Sequence, residues 1–138
     1  MSQTLERRLS IPSDPAEIAV VELFLADFAS DAGLNDDHTG DILIAGTEVV
    51  NNAILHGNHS QRNLQVHILV RLTEGQLEIR VDDEGKGFDQ ALRHDPTTES
   101  HLMDESGRGL LILRHLMDEV RFEKHAGGQT AILIKKLA

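Results

Sequence analysis

Residues 48–57 read Glu-Val-Val-Asn-Asn-Ala-Ile-Leu-His-Gly, and the fold follows from taking them as the second half of a helix. Ile42, Ala45, Val49 and Ala53 recur at the helical period and make one apolar row. Glu48 and Asn52 are four residues apart, so a helix stacks them on a shared face at the margin of that row. A carboxylate and a carboxamide there admit two readings: an ordinary polar helix face, or the lip of a cleft. Asn35-Asp36-Asp37 supplies a cap and acidic residues for the positive end of the helix, which is expected to run to about His56-Gly57.

Upstream, Leu5, Leu9 and Ile11 keep strand parity with Arg7 among them, which predicts an edge strand. Asp14-Pro15-Ala16-Glu17 then reads as a helix start, with an Asp cap, Pro at the first helical position and Glu three residues after the cap. Ile18, Val21, Leu25 and Phe28 form its apolar stripe, and Gly33 is the expected stop. Downstream, Leu64, Val66, Ile68, Val70 and Leu72 alternate with mostly polar neighbours. Leu77, Ile79 and Val81 do the same beyond the turn Thr73-Glu74-Gly75-Gln76, a hairpin with one face buried. Asp89 to Glu105 has Pro96 and no steady period, and reads as a loop of the length reserved for function. Leu110 to Met117 predicts a short helix, followed by a strand from about Val120, the turn Ala126-Gly127-Gly128 and a last strand, Thr130 to Leu137. No internal repeat or linker interrupts the chain. The expected fold class is α/β of the α+β kind: one domain over 1–138, a two-layer sandwich whose largely antiparallel, mixed sheet is covered on one face by helices.

Composition narrows the function. The chain has 138 residues, no cysteine and a formal charge of -10. Thiolate metal sites and cysteine nucleophiles are excluded, and a reducing cytoplasm is the natural compartment. The negative charge opposes direct contact with a nucleic-acid backbone, and the absence of Trp and Tyr with scarce Phe weakens the case for base stacking. The apolar runs are strand-sized, so no signal peptide or membrane span is expected. His56 and His59 read as loop histidines, since Gly57-Asn58 should end the helix between them.

Two further segments carry chemistry. The inward parity of Leu77, Ile79 and Val81 continues to Asp83, and a buried carboxylate is costly unless hydrogen-bonded. Asp83 therefore reads as an acceptor for the exocyclic amine of adenine, or else as a strand-end Asp opening a turn through Gly85 and Gly87. Ser106-Gly107-Arg108-Gly109 lies directly before a predicted helix. Bare glycines and a helix N-terminus make a phosphate cradle to which Arg108 could add a charge-assisted contact, although the same pattern also serves as a tight entry turn. Asn52 offers a hard amide oxygen suited to Mg²⁺, and Glu48 could orient or deprotonate an attacking hydroxyl. The order of the three segments favours an ATP site over three separate accidents.

In that order they resemble the N box and two glycine boxes of the GHKL ATPase superfamily of gyrase, heat-shock chaperone, histidine kinase and mismatch-repair protein, whose ATP site is the Bergerat fold. Glu48 to Gly57, Val81 to Asp89 (VDDEGKGFD) and Ser106 to Phe122 (SGRGLLILRHLMDEVRF) are most similar to the bacterial anti-sigma-factor serine kinases. The resemblance implies Glu48 as catalytic base, Asn52 as Mg²⁺ ligand and Asp83 as adenine reader. It also implies that Gly85, Gly87, Phe88, Gly107, Arg108, Gly109, Leu110 and Thr130 line the nucleotide, and that Asp89 to Glu105 form the ATP lid. One departure is visible, since Gln129 stands before Thr130 where members often have Gly-Thr.

The implied activity is an ATP- and Mg²⁺-dependent serine/threonine protein kinase acting as an anti-sigma factor. By that resemblance it works in the cytoplasm as a homodimer, phosphorylates a serine of an antagonist protein and sequesters an RNA polymerase sigma factor. Two rivals differ in class: a nucleotide-gated binding module without phosphotransfer, and a stand-alone histidine-kinase catalytic domain acting in trans. Glu48 and Asn52 together oppose the first, because binding ATP needs no base. A chain without a phosphoacceptor helix opposes the second.

Overall fold

Alternating strand β1 (Thr4–Pro12) opens the computed structural model, which describes residues 4–85 and 107–137. Asp14 then caps a 3-10 turn, Pro15–Glu17, its carboxylate accepting from the Ala16 N–H at 3.0 Å. That turn feeds α1 (Ile18–Ala32), which Gly33 ends in the left-handed conformation at φ 71°, as glycine permits. The Asn35 side chain accepts from the His38 N–H at 2.7 Å and starts α2 (Asp36–Asn52). A single π-helical turn, Ala53–Gly57, continues α2 before strand β2 (Gln65–Thr73). A two-residue turn follows, with Glu74 at φ 50° and Gly75 at φ 76°, a pair of positive values that matches the twist of a tight hairpin. Strands β3 (Gln76–Asp82), β4 (Glu119–His125) and β5 (Gly128–Lys136) complete the sheet, and α3 (Gly107–Leu116) precedes β4.

The strand order is β1-β2-β3-β5-β4, and all four pairings are antiparallel. The expected two layers are present. The expected mixture of strand directions between neighbours is not: α1 and α2 join β1 to β2, hairpins join β2 to β3 and β4 to β5, and β4, though it runs in the direction of β3, is separated from it by β5. β1 is an edge strand, as its short apolar alternation predicts.

One face of the sheet buries Val66, Ile68, Val70, Leu77, Ile79, Val81 and Leu133 against Val21, Leu25 and Phe28 of α1 and Ile42, Ala45, Val49 and Val50 of α2. At roughly 1.5–3 kcal/mol for each fully buried large apolar side chain, this cluster is the main source of stability. The two helices pack closely because Gly46 has no side chain; a Cβ there would lie 2.6 Å from Leu25 Cδ1. Lys135 ties β5 to the helix layer, its ammonium 3.0 Å from Asp41 Oδ2 and donating to the Leu116 carbonyl at 2.6 Å. A cation there also complements the negative end of α3. Among the described residues no helix is long and apolar enough to cross a membrane.

Candidate active site

The floor of the site forms where the π turn meets the end of β3. The widened turn lets the Asn58 N–H reach back to the Ala53 carbonyl at 2.8 Å, and it carries Gly57 under Asp83. A Cβ on Gly57 would lie 2.1 Å from Asp83 Oδ2 and 2.5 Å from its Cγ, so the carboxylate rests on a bare Cα. Gly85 and Gly128 complete the knot. Their added Cβ atoms would stand 2.3 Å from the Gly57 carbonyl oxygen and 2.3 Å from the Asp83 carbonyl oxygen, and Gly128 also sits at φ +139°.

Asp83 is 6% exposed, as the inward parity of β3 requires. Its Oδ1 accepts from the Gly85 N–H at 3.1 Å and the Gln129 N–H at 3.0 Å, while its own N–H donates to the Gln129 carbonyl at 3.0 Å. The cost of burying this carboxylate is thus offset by backbone donors within the protein. Oδ1 is pinned and Oδ2 lies over Gly57, which fixes the plane of the carboxylate. This is the geometry a rigid acceptor for a purine amine needs.

Glu48 and Asn52 stand on the last turns of α2, both half-buried, at the margin predicted for them. The Glu48 carboxylate lies against the first turn of α3; a Cβ on Gly109 would be 2.8 Å from Glu48 Cδ and 2.9 Å from Oε1. The sequence places Gly107 to Gly109 before a helix, whereas in the structure they are its first turn. The correction sharpens the chemistry, since the first N–H groups of a helix lack intrahelical partners and attract anions. Glu48 now holds that place from the side, and Leu110, half-buried, ends the turn. Asn52 is the last α-helical residue before the π turn, with its amide on the same helix as the Glu48 carboxylate.

Thr130 does not join this group. It pairs with Asp82 rather than Asp83, and its hydroxyl donates to Asp82 Oδ1 and lies 3.0 Å from His125 Nε2. Alternation along β5 puts it on the face opposite Asp83, so its expected place in the pocket is withdrawn. Gln129 occupies the register beside Asp83 instead. Gly87, Phe88, the proposed lid Asp89 to Glu105 and Ser106 lie outside the described residues, as does the side chain of Arg108.

Sequence reasoning passed over Gly57, Gln129 and Asn58. Gly57 carried a signal, a glycine closing the informative helix. Gln129 was visible only as a departure from a family pattern. Asn58 carried none, because nothing in an Asn after a Gly announces complete burial.

Comparison with known proteins identifies the family. The family model for the histidine kinase-like ATPase domain matches residues 11–135. The chain is 35% identical over 130 residues to the serine-protein kinase RsbW of Bacillus subtilis, covering 90% of this chain and 81% of that one. It is 29% identical to RsbW of Listeria monocytogenes, covering 82% of this chain and 76% of that one. A crystal structure of the RsbU and RsbW domains of a Mycobacterium tuberculosis protein superposes with a TM-score of 0.70 at 21% identity, over 96% of this chain and 32% of that one. A chain of the SiaB-SiaC complex from Pseudomonas aeruginosa gives 0.67 at 12% identity, over 93% of this chain and 88% of that one. At those identities the two structures speak to the fold alone.

Proposed function

Because the chain belongs to the histidine kinase-like ATPase family and, within it, to the RsbW serine-protein kinases, we propose that Asp83 reads adenine and Glu48 activates the serine of a protein substrate. The chain is an ATP-dependent serine-protein kinase. Asp83 Oδ2 accepts from the adenine exocyclic amine, and the amine is a donor where guanine presents a carbonyl. The triphosphate runs from there toward the first turn of α3, whose N–H groups face the anion.

Glu48 stands at that far end. The serine hydroxyl attacks the γ-phosphorus, its proton passes to the Glu48 carboxylate, and the bond from phosphorus to the leaving oxygen of ADP breaks. Asn52, with its hard amide oxygen, would hold a Mg²⁺ ion, and the ion would supply neutralisation of phosphate charge there. The observation carrying this reading is the division of the site between a carboxylate locked in the floor and a half-buried one beside a helix start. The partner is an anti-sigma-factor antagonist bearing the substrate serine. In its unphosphorylated form that antagonist competes with a sigma factor for a cytoplasmic homodimer of this kinase.

Incubation with radiolabelled ATP and candidate antagonist proteins encoded beside this one tests the proposal. Label is expected on a serine of one candidate. ATP binding with no label on any of them would favour a nucleotide-gated binding module, and label on a histidine would favour the histidine-kinase reading.

A further inference from the structure

Asn58 is fully buried, and every polar atom of its side chain is engaged. Nδ2 donates to Ser13 Oγ at 2.7 Å and to the Gln65 carbonyl at 2.9 Å. Oδ1 accepts from the Glu84 N–H at 2.8 Å. The orientation of the amide is set by its partners, since the opposite one would aim a donor at an N–H and an acceptor at a carbonyl. Ser13 is itself anchored, its hydroxyl donating to the Leu64 carbonyl at 2.7 Å. One side chain therefore joins the exit of β1, the entry of β2, the end of the π turn and the residue next to Asp83.

We propose that Asn58 is a positioning residue for nucleotide selection, holding the Asp83–Gly85 segment in register with the floor made by Gly57. The inference rests on Asp83 being the adenine reader. Asp83 Oδ1 is pinned by the Gly85 N–H on the far side of Glu84. A turn this short keeps that bond only while Glu84 stays in place. The Asn58 bond to the Glu84 N–H fixes that residue from the helix layer, while Gln129 fixes Asp83 from the sheet. The carboxylate plane is set by both clamps together, and the purine amine reads that plane. The π turn places the clamp, because it is the Asn58 N–H that closes it on Ala53. Burial of Asn58 raises the stakes, as its loss takes a hydrogen bond from the part-buried Glu84 N–H at the base of the site.

Three variants test this through steady-state kinetics with ATP and GTP, alongside thermal melting and hydrogen exchange at the Glu84 amide. Asn58→Ala removes the clamp. It is expected to raise the KM for ATP roughly tenfold, the effect of losing one orienting buried hydrogen bond, with kcat at saturating ATP near wild type. Its preference for ATP over GTP should fall, and the Glu84 amide should exchange faster. Asn58→Asp keeps an acceptor for the Glu84 N–H but loses both donors; it should melt early yet recover most of the ATP KM. Ser13→Ala should also lower the melting temperature while leaving KM and Glu84 exchange unchanged. If KM instead tracks melting temperature across the variants, Asn58 is merely structural and the proposal is overturned. It is equally overturned if Asn58→Ala binds ATP as wild type does. Should Asn58→Ala prove too unstable to purify, the Asp and Ser13 variants still carry the contrast between stability and KM. Failure of the unaltered protein to prefer ATP over GTP would instead count against Asp83 as adenine reader.

Discussion

Gly57 and Gly109 are glycines for the same reason, that a carboxylate fills the space of a side chain, yet the two carboxylates are held in opposite ways. Over Gly57, Asp83 is buried, bonded by two backbone N–H groups and walled by further glycines. Over Gly109, Glu48 is half-buried on a flexible side chain against the opening turn of α3. The first arrangement suits recognition, where an acceptor must keep one orientation at the cost of mobility. The second suits proton transfer, where a carboxylate must reach a hydroxyl and give the proton up again. The elements follow suit, with Asp83 at the end of a central strand and Glu48 where two helices meet.

The contrast breaks most visibly at Glu48. Glu48→Gln keeps size and hydrogen bonding but cannot take a proton, so phosphotransfer should fall by roughly 10²- to 10⁴-fold, as for loss of a positioned general base. Titration calorimetry should find its Mg-ATP affinity near wild type. Gly57→Ala strikes the other end. Its Cβ would overlap Asp83 Oδ2, so the carboxylate must move, with about 1–3 kcal/mol of destabilisation from overpacking. Thermal melting should show the loss and calorimetry a nearly abolished ATP affinity.

Asp83→Asn is a smaller insult. The amide oxygen retains the Gly85 and Gln129 donors, but its nitrogen now faces the adenine amine. Losing a hydrogen bond to a charged group costs roughly 1.5–3 kcal/mol, or about ten- to a hundredfold in ATP affinity. The least effect is expected far from the site at Glu6, on edge strand β1. The Arg71 hydrogen bond holds the Glu6 carboxyl below its ordinary value, with Arg8 adding to the effect. A carboxyl lowered in the folded state stabilises above its unfolded value and loses that contribution as pH falls through the lowered one. Glu6→Gln should therefore melt slightly below wild type at neutral pH and low salt. The gap should close in acid and in high salt, because the pair is exposed and screened.

Much of this was legible in the chain. The alternation of residues 66–81 predicted β2, β3 and their turn, and its parity alone carried Asp83 to the inner face. Helical period and caps predicted α1 and α2, and with them the margin holding Glu48 and Asn52. What escaped were features set by partners distant in sequence. A π turn adds one residue without disturbing the apolar row, so periodicity could not separate it from the α-helix before it. The entry of α3 through Gly107 runs against propensity, since glycine weakens helices. At Gly109 glycine is tolerated because the chain passes the Glu48 carboxylate there without a side chain. At Thr130 family position and strand parity disagree, and parity prevails. The register pairing Thr130 with Asp82 turns it to the outer face.

Side-by-side kinetics of phosphotransfer to a serine substrate, for Glu48→Gln and Asp83→Asn at varied ATP, tests the division of the site most directly. The account predicts a kcat lowered by roughly 10²-fold or more at an almost unchanged KM for Glu48→Gln, and a KM raised by about ten- to a hundredfold at an almost unchanged kcat for Asp83→Asn. If both variants raise KM alone, Glu48 belongs to the binding apparatus and the general-base role is wrong. Wild-type phosphotransfer by Glu48→Gln would contradict the account outright.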